Sequence, residues 1–207
     1  MKWIDISMSL NSQTPPWPGD EPFQYKLTWA MEDTGSVNVG QFQASNHIGT
    51  HIDAPFHYDS NGEKAASLPL DRFAGDVLVI NMENKDKISA ADLEPFDYKN
   101  VEKVIFRTLS WKDRSVFPSS YTVIGEDAGP FLKQKGVHLI GIDTPSVDPE
   151  TSKDLPGHHS LYGADILILE GLVLDHVAPG IYELAAFPLK MEDADGSPVR
   201  AVLKQKS

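Results

Sequence analysis

EDAGPFLKQKGVHLIGID, residues 126–143, passes from one periodicity to another within a few positions. Residues 126–135 carry a helical pattern, and Gly136 stands just past its end, where a left-handed residue stops a helix. Residues 137–143 then form a short apolar run, the pattern of a buried strand. A helix that feeds directly into a buried strand is the repeating unit of an α/β fold.

Working outward, three further runs have the same strand-like character: DVLVIN (76–81), KVIFR (103–107) and ADILILE (164–170). Between the first two lies a helical pattern over 89–96, opened by the capping pair Ser89 and Asp92. Residues 181–189 and 199–203 flank the turn-rich DADGSP and predict a strand pair joined by a loop. TPPWPGDEP, residues 14–22, predicts a proline-stiffened surface loop, with Trp17 inside it as its one large apolar side chain. The 15 prolines and 15 glycines are dispersed, and no repeat or low-complexity tract interrupts the chain. With 207 residues, 41% of them hydrophobic, the sequence predicts one domain over 1–207 around one sizeable core.

The formal net charge is −12, and no cluster of lysines and arginines could track a phosphate backbone. Nucleic acid and anionic membrane surfaces are therefore excluded as partners. The opening MKWIDISMSLNSQ reaches Asp5 before an apolar signal region develops, and no run approaches the ~18 apolar residues of a membrane-spanning helix. The expectation is a soluble, unprocessed, cytoplasmic protein. With no cysteine in the chain, disulfides and thiolate metal sites are impossible, so any metal must rely on imidazole and carboxylate ligands.

Such ligands are concentrated in SNHIGTHIDAPFHY, residues 45–58, which holds three of the seven histidines and an aspartate. Its β-branched residues and Pro55 oppose a helix, and in an extended chain positions 47, 49, 51, 53 and 57 face one way. His51 and Asp53 would lie ~7 Å apart at Cα, close enough to grip one ion. His47 and His51 would be ~13 Å apart if fully extended, which predicts a bend at Gly49. Ordinary polar residues on a half-exposed strand would be the bland reading; three histidines and a carboxylate on one parity favour a metal site.

Glu170 ends the apolar run ILILE, where a carboxylate is costly unless it binds a cation or pairs with an arginine or lysine. Upstream, Gly157-His158-His159 is expected in a loop, with one of the two imidazoles facing the metal; the spacing does not choose between them. His47, His51, Asp53, one of His158 and His159, and Glu170 make five ligands, one more than a tetrahedral ion needs. Two ions bridged by carboxylates would use them all and leave positions open to water. His57, beyond the rigid Pro55, suits general acid/base work near neutral pH, or alternatively support of a ligand carboxylate.

HIGTHIDAPFH, residues 47–57, resembles the H-x-G-T-H-x-D-x-P-x-H motif of the cyclase family of metal-dependent hydrolases, with every fixed position present. Within that family the chain is similar to the bacterial kynurenine formamidases over nearly its full length. WIDIS (3–7), WPGD (17–20), GSVNVG (35–40), GIDTPSVDP (141–149), the 158–159 histidine pair, ILEGLVLDHV (168–177) and DADGSPVRA (193–201) carry the likeness. Tyr58 departs from it, standing where many members have phenylalanine.

The resemblance implies a compact α/β fold with a mixed sheet and barrel-like character, and a homodimer. It implies two zinc ions per subunit, one held by His47, His51 and Asp53, the second by His158 and Glu170 with Asp53 shared. Manganese would also suit such ligands. It further implies His57 as proton donor and acceptor, Trp17 as a substrate contact, and hydrolysis of N-formyl-L-kynurenine to L-kynurenine and formate. Hydrolysis of another amide, such as isatin, and noncatalytic metal binding are the alternatives.

Overall fold

The computed structural model describes residues 2–99 and 101–206. In chain order the strands are β1 (Trp3–Asp5), β2 (Gln24–Trp29), β3 (Val39–Gln43), β4 (His51–Asp53), β5 (Ala74–Asn81), β6 (Lys87–Ile88), β7 (Lys103–Arg107), β8 (Val123–Ile124), β9 (Leu139–Ile142), β10 (Leu167–Glu170), β11 (Gly180–Ala185), β12 (Gly196–Pro198) and β13 (Val202–Gln205). The helices are α1 (Met31–Thr34), α2 (Ala90–Leu93), α3 (Ala128–Gln134) and α4 (Pro156–Gly163).

Nine strands form one sheet in the order β1-β13-β11-β5-β7-β9-β10-β4-β12. The four apolar runs read as buried strands form the central strands β5, β7, β9 and β10, which are parallel to one another. Antiparallel strands complete both flanks. Ser89 and Asp92 form the predicted capping box of α2, and Gly136, at φ 78°, follows the last turn of α3.

Strand alternation divides the core in two. Val104, Phe106, Ile140, Ile142 and Ile168 pack against Leu93, Leu132 and Leu161 of the helices. Ile105, Leu139, Leu167 and Leu169 face the other way, into a cluster to which no α-helix contributes and that also takes Ile52 of β4, Val77 of β5, Leu184 of β11 and Leu203 of β13. Strands six places apart in the sheet, β13 and β4, share that cluster only because the sheet curls into a half-barrel. Each fully buried side chain of this size contributes about 1.5–3 kcal/mol, so both faces help to fix the curvature.

Three local expectations change. The strand pair near the C-terminus is present as β11 and β13, but the turn-rich DADGSP between them contains β12, which pairs with β4. His158 and His159 lie on a helix rather than a loop. The single extended parity across 47–57 also fails: only His51–Asp53 is strand, and His57 sits on a 3-10 turn over Pro55–His57 that opens with proline.

Candidate metal centre

The centre forms at the end of β10, where the parallel strands deliver their carboxyl ends. Antiparallel pairing sets Glu170 opposite His51 and Ile168 opposite Asp53, so the two acids and His51 share the helix-covered side of the sheet. The predicted bend is present: Gly49 has φ 64° and Gly171 has φ 65°. A Cβ on Gly171 would lie 2.0 Å from the Gly49 carbonyl oxygen, so glycine at 171 is what allows the chain entering β4 to pass so close to the chain leaving β10. That bend turns His47 back onto the cluster; its ring centroid is 5.1 Å from that of His51.

Each imidazole is oriented by a hydrogen bond on one nitrogen that leaves the other for the centre. His51 Nδ1 donates to the Gly49 carbonyl at 3.1 Å and presents Nε2 to Asp53 Oδ1 and Glu170 Oε2, both at 3.4 Å. His158 Nδ1 donates to Asp148 at 2.8 Å and presents Nε2 to Asp53 Oδ2 at 3.4 Å. Asp148 also accepts the backbone N–H groups of Gly157 and His158, capping the first turn of α4 and explaining why a Pro-Gly-His-His segment is helical. His158 is buried, whereas its neighbour His159 is exposed and belongs to no group of candidate ligands. His47 Nδ1 meets Asp53 Oδ1 at 2.9 Å, and its Nε2 meets Asp195 Oδ2 at 3.1 Å.

The five predicted ligands thus come together as two trios, His47–His51–Asp53 and Asp53–His158–Glu170. In each trio the candidate ligand atoms lie within 4.8 Å of one another, and Asp53 belongs to both. Glu170 is surrounded by imidazoles rather than by the alternative arginine or lysine, and its Oε1 accepts the Val147 N–H at 2.8 Å. Asp53 Oδ2 is buried with no hydrogen-bond partner, since His158 Nε2 lies outside hydrogen-bond geometry. An unpaired carboxylate oxygen is expensive in the interior, and a divalent cation is the group that would satisfy it. The donor set of imidazoles and carboxylates therefore fits a metal.

In the metal-free protein, protons carry the compensating charge. Burial opposes protonation of His47, yet hydrogen bonds to Asp195 and Asp53 raise its pKa to about 9. Burial likewise opposes protonation of His51 and His158, but the carboxylates around each hold them up at about 10. Burial alone would raise the Asp53 carboxyl; the three imidazoles keep it well below the usual range. Burial and the neighbouring Asp53 charge push Glu170 up. These imidazoles titrate near 6.5 when unfolded, so their stabilisation is complete below about pH 6.5 and is lost as pH rises through about 9 to 10. Chelated protein is accordingly expected to show a falling Tm between pH 6.5 and 10 by calorimetry; a flat or rising Tm would contradict this charge pairing.

Beside the trios, His57 is half-exposed, with its ring centroid 4.0 Å from that of His47 and its Nδ1 3.8 Å from Asp195. Burial, aided by the charges on His47 and His158 and opposed by Asp53, holds His57 down to about 4, so it is neutral at pH 7. The 14–22 loop does more than lie on the surface. Trp17 and Asp20 line a cleft of ≈ 220 Å³ together with His47, His57, His158 and Glu170. Trp17 is braced edge-on against Phe117, with centroids 5.2 Å apart.

Asp148 and Asp195 are the residues that sequence reasoning missed. Asp195 receives the Asn46 amide at 2.7 Å and faces both His47 and His57, and His47 keeps its carboxyl far below the usual range.

A half-barrel α/β sheet with two imidazole–carboxylate trios that share Asp53 defines a class, the metal-dependent hydrolases. The chain belongs to the Cyclase family, whose model matches residues 4–149. Among relatives, it is 51% identical over 203 residues to the kynurenine formamidase of Geobacillus thermodenitrificans strain NG80-2, covering 98% of this chain and 97% of that protein. A solved structure from Bacillus stearothermophilus, described as that of a metal-dependent hydrolase, superposes with a TM-score of 0.83 at 26% identity over 98% of this chain and 97% of the other. Isatin hydrolase A from Labrenzia aggregata superposes with a TM-score of 0.85 over 99% of this chain and 94% of its own, but at 22% identity that likeness is one of fold alone.

Proposed function

We propose that the protein is a metal-dependent arylformamidase that hydrolyses N-formyl-L-kynurenine to L-kynurenine and formate, acting as a cytoplasmic homodimer. The observation that carries the reading is Asp53, an ionised and half-satisfied carboxylate shared by two ligand trios beside a neutral histidine. The full-length similarity to a kynurenine formamidase supplies the substrate.

His47, His51 and Asp53 would hold one cation, and Asp53, His158 and Glu170 a second, with zinc best suited to such ligands. Bound there, the cations supply Lewis acidity that activates water near neutral pH and polarises a carbonyl. Asp148 and the Gly49 carbonyl fix the tautomers of His158 and His51, so that both ligand nitrogens are set before the substrate arrives. Trp17 packs against the aryl ring of the substrate and keeps bulk water from the cleft. As water adds to the formyl carbon, His57, with Nδ1 toward Asp195, takes up that water's proton at Nε2 and passes it to the nitrogen as the C–N bond breaks, so that formate and the arylamine leave. The leaving group is a weakly basic arylamine, so this proton need only assist its departure.

The zinc-loaded protein is expected to release formate and kynurenine in equal amounts, with kcat/KM roughly 10²-fold above that for isatin. Faster opening of isatin than hydrolysis of N-formyl-L-kynurenine would transfer the assignment to cyclic amides.

A further inference from the structure

The loop that carries Trp17 also presents a charged group that the mechanism does not use. Trp17-Pro18-Gly19-Asp20 is a tight turn: Asp20 N–H donates to the Trp17 carbonyl at 2.9 Å, Gly19 has φ 89°, and proline precedes it, the residue order of a type II turn. The loop is tied at both ends. The hydroxyl of buried Thr14 donates to the Ser9 carbonyl at 2.9 Å, and the Glu21 carbonyl accepts the Ser45 N–H at 3.3 Å. Trp17 and Asp20 are therefore fixed relative to each other, and both line the cleft at the metal centre. Beyond the candidate ligands, His57 and Trp17, that cleft is lined by Asp20, Pro145, Ser146 and Leu155. Ser146 Oγ accepts the Asp148 N–H at 3.2 Å, and proline and leucine offer no polar side-chain atom. Asp20 is thus the remaining charged group, and neither lysine nor arginine is among the described residues that line the cleft. Its carboxylate receives the Glu21 N–H on Oδ1 at 2.8 Å, which leaves Oδ2 able to accept from a ligand.

We propose that Asp20 receives the α-ammonium group of the substrate and so decides which end of the substrate meets the metal centre. The inference rests on the N-formyl-L-kynurenine reading above and adds to it the recognition of the amino-acid end. Reach supports it. The ammonium nitrogen lies four bonds from the aryl ring, roughly 5 Å, and the ends of a tight turn lie within about 7 Å at Cα. A ring packed on Trp17 therefore brings the ammonium group to Asp20. Electrostatics supplies the direction. The substrate has two groups able to bind a divalent cation, the neutral formamide and the charged α-carboxylate, and charge favours the carboxylate. A substrate that entered carboxylate-first would occupy the centre without reacting. Asp20 attracts the ammonium group and repels the carboxylate, so the amino-acid end stays at the loop while the formamide reaches the centre. Asp20 is exposed, so solvent screens the pairing and its effect is moderate.

The test uses the zinc-loaded full chain, N-formyl-L-kynurenine, and its desamino counterpart 4-(2-formamidophenyl)-4-oxobutanoate, in which hydrogen replaces the ammonium group. The wild type is expected to favour the ammonium-bearing substrate by about 10–10²-fold in kcat/KM, with most of the difference in KM. Asp20→Asn keeps an Oδ1 acceptor for the Glu21 N–H, so the turn should hold, and the preference should shrink to within about threefold. Calorimetric titration with L-kynurenine reads the same subsite without turnover: the substitution should weaken binding roughly tenfold. Equal kcat/KM for the two formamides in the wild type, or a preference that survives Asp20→Asn, overturns the subsite and leaves the formamidase reading standing. Failure to release formate from either formamide, with L-kynurenine binding that still depends on Asp20, overturns the reaction and leaves the subsite. L-Kynurenine that does not bind, or binds regardless of the substitution, overturns the subsite whatever the turnover.

Discussion

Replacing Asp53 by asparagine is expected to strip the centre of metal and to lower turnover by roughly 10⁴-fold or more, since most of the rate enhancement of such a hydrolase depends on activated water. The size of the effect follows from position. Asp53 Oδ1 faces His47 and His51, Oδ2 faces His158, and Asp53 is the one residue common to both trios. An amide keeps the shape but offers a single acceptor oxygen and no charge, so it can serve one trio at most. Loss of the carboxylate also removes a charge that holds all three imidazoles protonated in the metal-free protein. The variant should therefore tolerate the change as neutral imidazoles around an amide, and should fold. Elemental analysis after dialysis, with formate release on the same sample, checks both parts. Full metal content together with full activity would remove Asp53 from the centre.

The residues that were legible in the sequence are those whose signal is local. Gly49 and the histidines on either side of it lie within five positions, so a backbone argument about reach leads to the observed bend. Glu170 stands out as a carboxylate closing an apolar strand, and needs no tertiary knowledge to be suspected. Asp195 carries no such signal, because DADGSP has the composition of a turn; its importance comes from β12 pairing with β4, a contact across more than 140 residues. Asp148 is silent for the same reason. Its role depends on the first-turn amides of α4, which Pro156 opens at a position that suits proline, and that cap also offsets the poor helix propensity of Gly157. The hairpin of β2 and β3 differs again, since the alternation Tyr25-Lys26-Leu27 is a strand pattern open to periodicity, although nothing local shows that both faces of the pair are left exposed.

His57→Ala is expected to keep the metal and lose the chemistry, with kcat down by about 10²–10⁴-fold. Geometry leaves His57 two roles. Its candidate ligand atom lies within 4.8 Å of those of His47 and Asp195, so it has the reach of a ligand. It is also the exposed member of that group, placed on a 3-10 turn beyond Pro55 rather than on β4, and burial, aided by His47 and His158 and opposed by Asp53, suppresses its protonation. The other three imidazoles are each gripped by a buried carboxylate or carbonyl, as ligands must be; His57 meets only the half-exposed Asp195, at 3.8 Å. A ring that is neutral at pH 7, loosely held and open to the cleft is suited to accept a proton and give it up again. The two roles separate on one preparation. Unchanged metal content with collapsed turnover, partly restored by added imidazole, marks a proton carrier, because a small base can enter the space left by the ring. Metal content that falls with turnover, without rescue, makes His57 a ligand and moves the proton transfer to another group.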